Sequence, residues 1–443
     1  DTTMSAGQKL ALSGSSTVAG QFKLSGGNVT LSGSQGGSKN VSVTAQGTLD
    51  ASQASMVSTG NMQFSGTNVT LGTAIVGGAL TAAASNQLSL VGSAVDVVGA
   101  ATLTSGNGFY NASQVLSGGA LYVSAPNVTN AANASLASTN TTTVNATNFT
   151  NAGLVNGSTT NVTVAGGLNN SGGSLMAVNS LNINTGSLNN QNGLIFAGNP
   201  NAPGGPTTGD VSLTINGGNG SFYNPGGQLL AQRNMGITAT NMAFDPSQGT
   251  ISQGGQLSIT AGSISNTGTW NYGGQSVTLT GLNGINNYGT MTGTAPLTLA
   301  TNGTFTNFGQ VTGNDVTFNG TLNNVAGAVM HADDTLTLNG NATNRGTVEA
   351  GNLLSINGGN YDNQGATTQS NGNMQFSLGG TLQNTTGTIS AAGNITINAG
   401  TVVNNGVQGG LTSSTQVVSA ADDPSLYGSI VVGTQTVYGF TGG

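Results

Sequence analysis

The chain has 443 residues, of which 4% are charged and 36% hydrophobic, with 74 glycines and a formal net charge of −7. That balance excludes a charged disordered chain, which pairs low hydrophobicity with high net charge, and it is unlike an ordinary globular composition. Five Lys plus Arg cannot neutralise a row of phosphates, so nucleic acid and anionic membrane surfaces are excluded as partners, and the absence of Cys excludes disulfide stapling.

At the amino terminus, Asp1 to Leu10 has no basic stretch followed by an apolar one, and nowhere do 18 apolar residues run together. No membrane insertion is expected, and the chain reads as an internal segment of an exported protein or as one whose leader has been removed. Residues 1–198 are read as β-helix coils with a weak repeat, anchored by the pairs Phe22/Leu24, Val41/Val43, Met62/Phe64, Leu121/Val123, Val162/Val164 and Leu181/Ile183. Residues 199–210, with Pro200, Pro203 and Pro206, break the pattern and predict a loop thrown out from one corner.

Residues 211–410 carry the clear repeat: Φ-x-Φ, a Gly-rich gap, Φ-x-Asn, then Gly-x-Φ. Coils begin at Leu257, Val277, Leu297, Val316, Leu336, Leu354, Met374 and Ile395, in steps of 18 to 21 residues. The residue two places on is again apolar, the period of a strand with one buried face. A second column runs through Ile264, Ile285, Phe305, Leu322, Ala342, Tyr361, Leu382 and Val402. Two residues after each stands Asn266, Asn287, Asn307, Asn324, Asn344, Asn363, Asn384 or Asn404. Equal parity predicts that these carboxamides point inward and form a structural ladder, since a neutral amide both donates and accepts where a charge could not be buried. The glycine that follows each Asn suits a corner needing positive φ. A further inward column is expected at Trp270, Met291, Val311, Val329, Val348 and Ile389. Residues 411–443, with Ala421-Asp422-Asp423-Pro424, read as a cap or as the start of the next region.

One coil cannot bury its own apolar row, but stacking sets equivalent residues about 4.8 Å apart and pairs their backbones. The fold class is therefore all-β: a right-handed parallel β-helix, or β-solenoid, of coils of about 20 residues, on the order of 100 Å long.

Chemistry-bearing residues are sparse. His331, Asp333, Asp334, Arg345 and Glu349 fall on successive coils and read as a solvated corner with a Glu/Arg pair. No catalytic residue, metal ligand or cofactor is assigned, and the chain is not read as an enzyme. A polysaccharide-active β-helix enzyme is the least favoured alternative, because such chemistry needs paired carboxylates and the acidic residues here are isolated. The position between Asn and Gly faces outward and stacks Tyr288 on Phe308, with Tyr272 nearby. These three are the candidate carbohydrate contacts.

The coils, clearest in Gly255-Gln256-Leu257-Ser258-Ile259 through Ser265-Asn266-Thr267-Gly268, resemble the repeat region of filamentous haemagglutinin-like exoproteins. Large biofilm adhesins and contact-dependent growth-inhibition exoproteins share this repeat. The resemblance covers roughly Leu10 to Gly410, and neither a secretion domain nor a toxin domain is recognised. It implies two-partner secretion, in which an outer-membrane transporter exports the chain and the filament folds outside. The localisation implied is the secreted, extracellular face of a bacterium. The function implied is cell–cell, host-cell or biofilm-matrix adhesion, with surface or matrix polysaccharide or a host-cell receptor as partner. The alternative is the stalk of a growth-inhibition exoprotein.

Overall fold

Alternating apolar and polar residues, with Val, Ile and Thr abundant, favour extended chain that buries one face. The computed structural model bears this out: strands and no helix occur among the described residues, which are 1–37, 39–199, 208–406 and the strand Val418–Ser419. The chain divides into two units, Asp1–Met235 and Gly236–Gly443, each a parallel β-solenoid.

In the second unit the coil anchors lie in register over the whole series. Leu257 pairs with Val277, then Leu297, Val316, Leu336, Leu354, Met374 and Ile395, each one coil on. The column from Ile264 to Val402 is equally continuous. A separate seven-stranded parallel sheet takes one short strand per coil, from Thr269–Tyr272 to Thr388–Ala391. Its inward column runs Trp270, Met291, Val311, Met330, Val348, Thr368, Ile389. The expected Val329 is displaced by one residue. It pairs with Gln310 on the outer side, because the corner Asn324-Val325-Ala326-Gly327-Ala328 closes a turn, with Ala328 N–H donating to Val325 C=O, and so delays the strand. An antiparallel pairing joins Val418–Ser419 to Thr401 and Val402. The rest of residues 411–443 lies outside the described residues.

The first unit has the same plan. Phe22, Val41, Met62, Leu80, Ala101, Leu121 and Thr142 form one inward column. Here the pair Val162/Val164 slips by two residues: Val162 aligns with Val144 and Ile183, and the first anchor position is taken by Thr160. A slip of two keeps side-chain parity, so the apolar face stays inside. The buried Thr142 and Thr160 hydroxyls are satisfied by donating to the carbonyls of Asn156 and Met176, both at 2.6 Å.

The insertion leaves this unit after the strand Leu194–Ala197 and returns at Asp210–Ile215, which pairs with Ser180–Thr185 as if nothing intervened. Residues 200–207, the prolines included, lie outside the described residues.

Candidate functional site

The buried asparagines are the first polar feature that the packing organises. In the second unit each Nδ2 donates to the Oδ1 of the next coil, from Asn266 to Asn404, at 2.7–2.9 Å. The other hydrogen of the same amide goes to a backbone carbonyl that opens the next coil's short strand: Gln310 for Asn287, Val329 for Asn307, Thr347 for Asn324. One carboxamide therefore ties two faces of neighbouring coils and leaves no donor stranded in the core.

Sequence reasoning missed a second ladder in the first unit. Asn111, Asn130, Asn151, Asn170, Asn190 and Asn224 link in the same way at 2.7–2.9 Å. The signal was present as the same Φ-x-Asn step, in Phe109-Tyr110-Asn111, Val128-Thr129-Asn130 and Phe149-Thr150-Asn151. It was hidden because the corners that follow are Ala- or Ser-containing and vary in length.

The corners after each Asn are of two kinds. In the short form, Asn-x-Gly, Gly268, Gly289 and Gly309 do not adopt positive φ. Glycine is needed there because a Cβ on Gly289 or Gly309 would collide with the carbonyl of the corner glycine one coil back. In the longer corners a positive φ does occur, at Gly327 (82°), Gly365 (66°) and Thr386 (57°).

Between Asn and Gly of two short corners stand Tyr288 and Phe308. Their rings stack with centroids 5.0 Å apart and an interplanar angle of 8°, and the residues are 54% and 47% exposed. Tyr272 does not join them. It is 5% exposed, packs against Trp270 at 5.3 Å, and donates its hydroxyl to the Thr312 carbonyl at 2.8 Å. Its ring fits because the next two coils carry Gly293 and Gly313, where a Cβ would strike the ring or its hydroxyl. Burial raises its phenol well above the usual tyrosine range. Tyr272 thus belongs to the core and has no free face to offer a sugar.

The His331 region is a surface network. His331 Nε2 meets Asp333 Oδ1 at 2.9 Å, and Nδ1 lies 2.9 Å from Glu349 Oε1, while Gln369 donates to Glu349 Oε2 at 2.6 Å. The expected Glu349/Arg345 pair is not formed. Arg345 turns to Asp362, with Nη2 donating to Oδ2 at 2.6 Å, because residue 345 lies at the Asn-x-Gly corner and Glu349 on the following strand. Asp334 instead accepts from Asn352 Nδ2 at 2.9 Å. Among the described residues no group of three or more His, Asp or Glu side chains is arranged to hold a metal ion.

A further ion pair closes the stem of the insertion. Arg233 Nε donates to Asp210 Oδ1 at 2.7 Å, and the guanidinium holds the Asp210 carboxyl below the usual range. Beside it the Gln232 amide pairs with both Asn199 N–H and C=O, at 2.6 and 2.9 Å.

Stacked polar columns, an aromatic shelf and isolated ion pairs thus stand on a framework built for repetition. Comparison with known proteins agrees with that reading. The haemagglutinin repeat model matches residues 2–53, 57–125, 116–192, 206–309, 292–386 and 375–423. No curated protein and no solved structure matches the chain. With the matches running through nearly the whole sequence and the coils stacked in register, the chain belongs to the haemagglutinin repeat family, a structural, adhesin-type family of secreted surface proteins.

Proposed function

We propose that this chain is a segment of an extracellular adhesive filament that contacts cell-surface or matrix polysaccharide through the Tyr288–Phe308 shelf. The observation that carries the reading is the parallel, exposed stacking of those two rings on successive coils. A flat aromatic face covers the C–H face of a sugar ring, and the stacked pair leaves its outer faces and edges free for a short stretch of a chain. Membership of the repeat family supports export through an outer-membrane partner transporter and folding outside the cell. The near absence of charge supports it too, since repeated like charges would form repelling columns on a solenoid.

The test compares binding of the 443-residue chain to cells and to purified matrix polysaccharide with that of a Tyr288→Ser/Phe308→Ser variant of equal β-sheet circular dichroism. Loss of binding in the variant is the expected result. Undiminished binding by the variant moves the contact elsewhere. Absence of binding by either protein makes the segment a spacer, as in the stalk of a growth-inhibition exoprotein or a biofilm filament whose contacts lie in other parts.

A further inference from the structure

The outer face of one strand column in the first unit departs from the polar pattern of the rest. Val57, Ile75, Leu116, Met176, Phe196 and Leu230 all occupy the outward position of the strands whose inward residues are Met56, Ala74, Val115, Leu175, Ile195 and Leu229. Val57, Ile75 and Leu116 are 40%, 49% and 49% exposed, while Met176, Phe196 and Leu230 are half-buried. In the second unit the outward column of the seven-stranded sheet carries Asn271, Thr292, Thr312, His331, Glu349 and Gln369 instead. A stripe that is apolar on six of its ten coils, with Ser55, Thr73 and Gln114 as a polar rim two residues away, has the make-up of a small docking surface.

The order of residues along the stripe indicates what covers it. Coil by coil it reads Gly36, Val57, Ile75, Asp96, Leu116, Ala137, Asn156, Met176, Phe196, Leu230. A two-fold axis between Leu116 and Ala137 lays this series against its own reverse. Leu230 then faces Gly36, Phe196 faces Val57, Met176 faces Ile75 and Leu116 faces Ala137. Asp96, the one charge in the stripe, faces Asn156, whose amide donates where the carboxylate accepts. Leu230, Phe196 and Leu116 meet smaller residues, Met176 meets Ile75 and the two polar residues meet each other, which is the self-complementarity that an isologous interface requires. In a parallel, in-step arrangement Asp96 would instead face the partner's Asp96.

We propose that the first unit associates with a second copy of this chain, antiparallel, through this stripe. Ten coils about 4.8 Å apart and a contact about 10 Å wide bury on the order of 400 Å² per copy, below the standard interface size, so the association is weak and reversible. Such a contact bundles filaments only where they are crowded. It is independent of the aromatic shelf, which lies in the second unit.

The experiment uses the 443-residue chain. Sedimentation up to about 200 micromolar reads the association, and an Ile75→Lys/Leu116→Lys variant, whose two cations flank Asp96, is expected to weaken it at least about tenfold. Thr278→Lys, outward on the second unit, leaves it unchanged. Orientation is read by disulfide formation in this Cys-free chain: Ile75→Cys protein mixed with Met176→Cys protein forms the mixed dimer faster than either forms its own. If the lysine variant does not fold, Ile75→Ser/Leu116→Ser takes its place with the same expectation. A wild-type chain that stays monomeric throughout overturns the proposal, leaving the stripe to another apolar partner. So does association that survives the substitutions, or cross-linking that shows no preference for the mixed pair.

Discussion

Asn307 shows what one residue does here. Its amide donates to Asn324 Oδ1 and to the Val329 carbonyl, and its oxygen accepts from Asn287. Asn307→Ala leaves two acceptors and one donor unpaired in a buried site, and is expected to cost about 2–4 kcal/mol, read as a lower urea midpoint. Asn307→Asp is more informative. An ionised carboxylate still accepts from Asn287 but cannot donate to Asn324, so burial and the facing oxygens raise its pKa above the unfolded value of about 4. With the folded pKa raised, the variant is least impaired below about pH 4 and loses stability as pH rises through the folded value. A pH-independent deficit in the unfolding midpoint would contradict this account. Tyr361 is a second case: fully buried, it donates to Thr368 Oγ1 at 2.6 Å, and Thr368 donates onward to Asn363 Oδ1 at 2.8 Å. Tyr361→Phe should cost about 1 kcal/mol in the same assay, because the threonine keeps its own acceptor. The ladder residues of the second unit were legible as Φ-x-Asn, whereas the partner of Arg345 was not, since its choice of Asp362 depends on where a long side chain leaves the corner.

At the level of the element, corners and strands were legible to different degrees. Period-two alternation located the strands of the second unit with their registers, except at Val329, because one buried face is constrained in every coil. Corners were less legible. The sequence suggested positive φ for every glycine after Asn, but in the short corners the reason is close approach of the coil behind. Gly309→Ala should therefore destabilise strongly, by several kcal/mol, by forcing neighbouring coils apart. Gly365→Ala acts differently. At a φ of 66° the cost is local backbone strain, on the order of 1 kcal/mol, with no wall in the way. Comparing the two in thermal unfolding separates the mechanisms, and equal losses would refute the distinction. The slip at Thr160 was invisible in sequence because Val162/Val164 has the right parity and the right residues. Only pairing with Val144 and Ile183 decides which valine fills which place.

For the molecule as a whole, repetition means that coils are exchangeable units joined by nearest-neighbour contacts. Removing residues 297–315, one register step from Leu297 to Val316, brings Pro296 to Val316 and sets Asn324 where Asn307 had been. The shortened chain is expected to keep its β-sheet circular dichroism and cooperative unfolding, while removal of 297–306 breaks the register and should not. The Asp210 carboxyl is held below its usual range by Arg233, so the pair's contribution is present above the unfolded pKa and is lost as pH falls through the folded one. Asp210→Asn should lower the melting temperature at neutral pH and match the parent at the acid end. By itself the sequence determined the fold class, the coil length, the two anchor columns of the second unit and the family, because a short period repeated many times states the same constraint in every coil. The tertiary structure alone decided the first-unit ladder, the burial of Tyr272 beneath Gly293 and Gly313, the true partner of Arg345 and the apolar stripe, because each depends on which residues of neighbouring coils come to lie side by side.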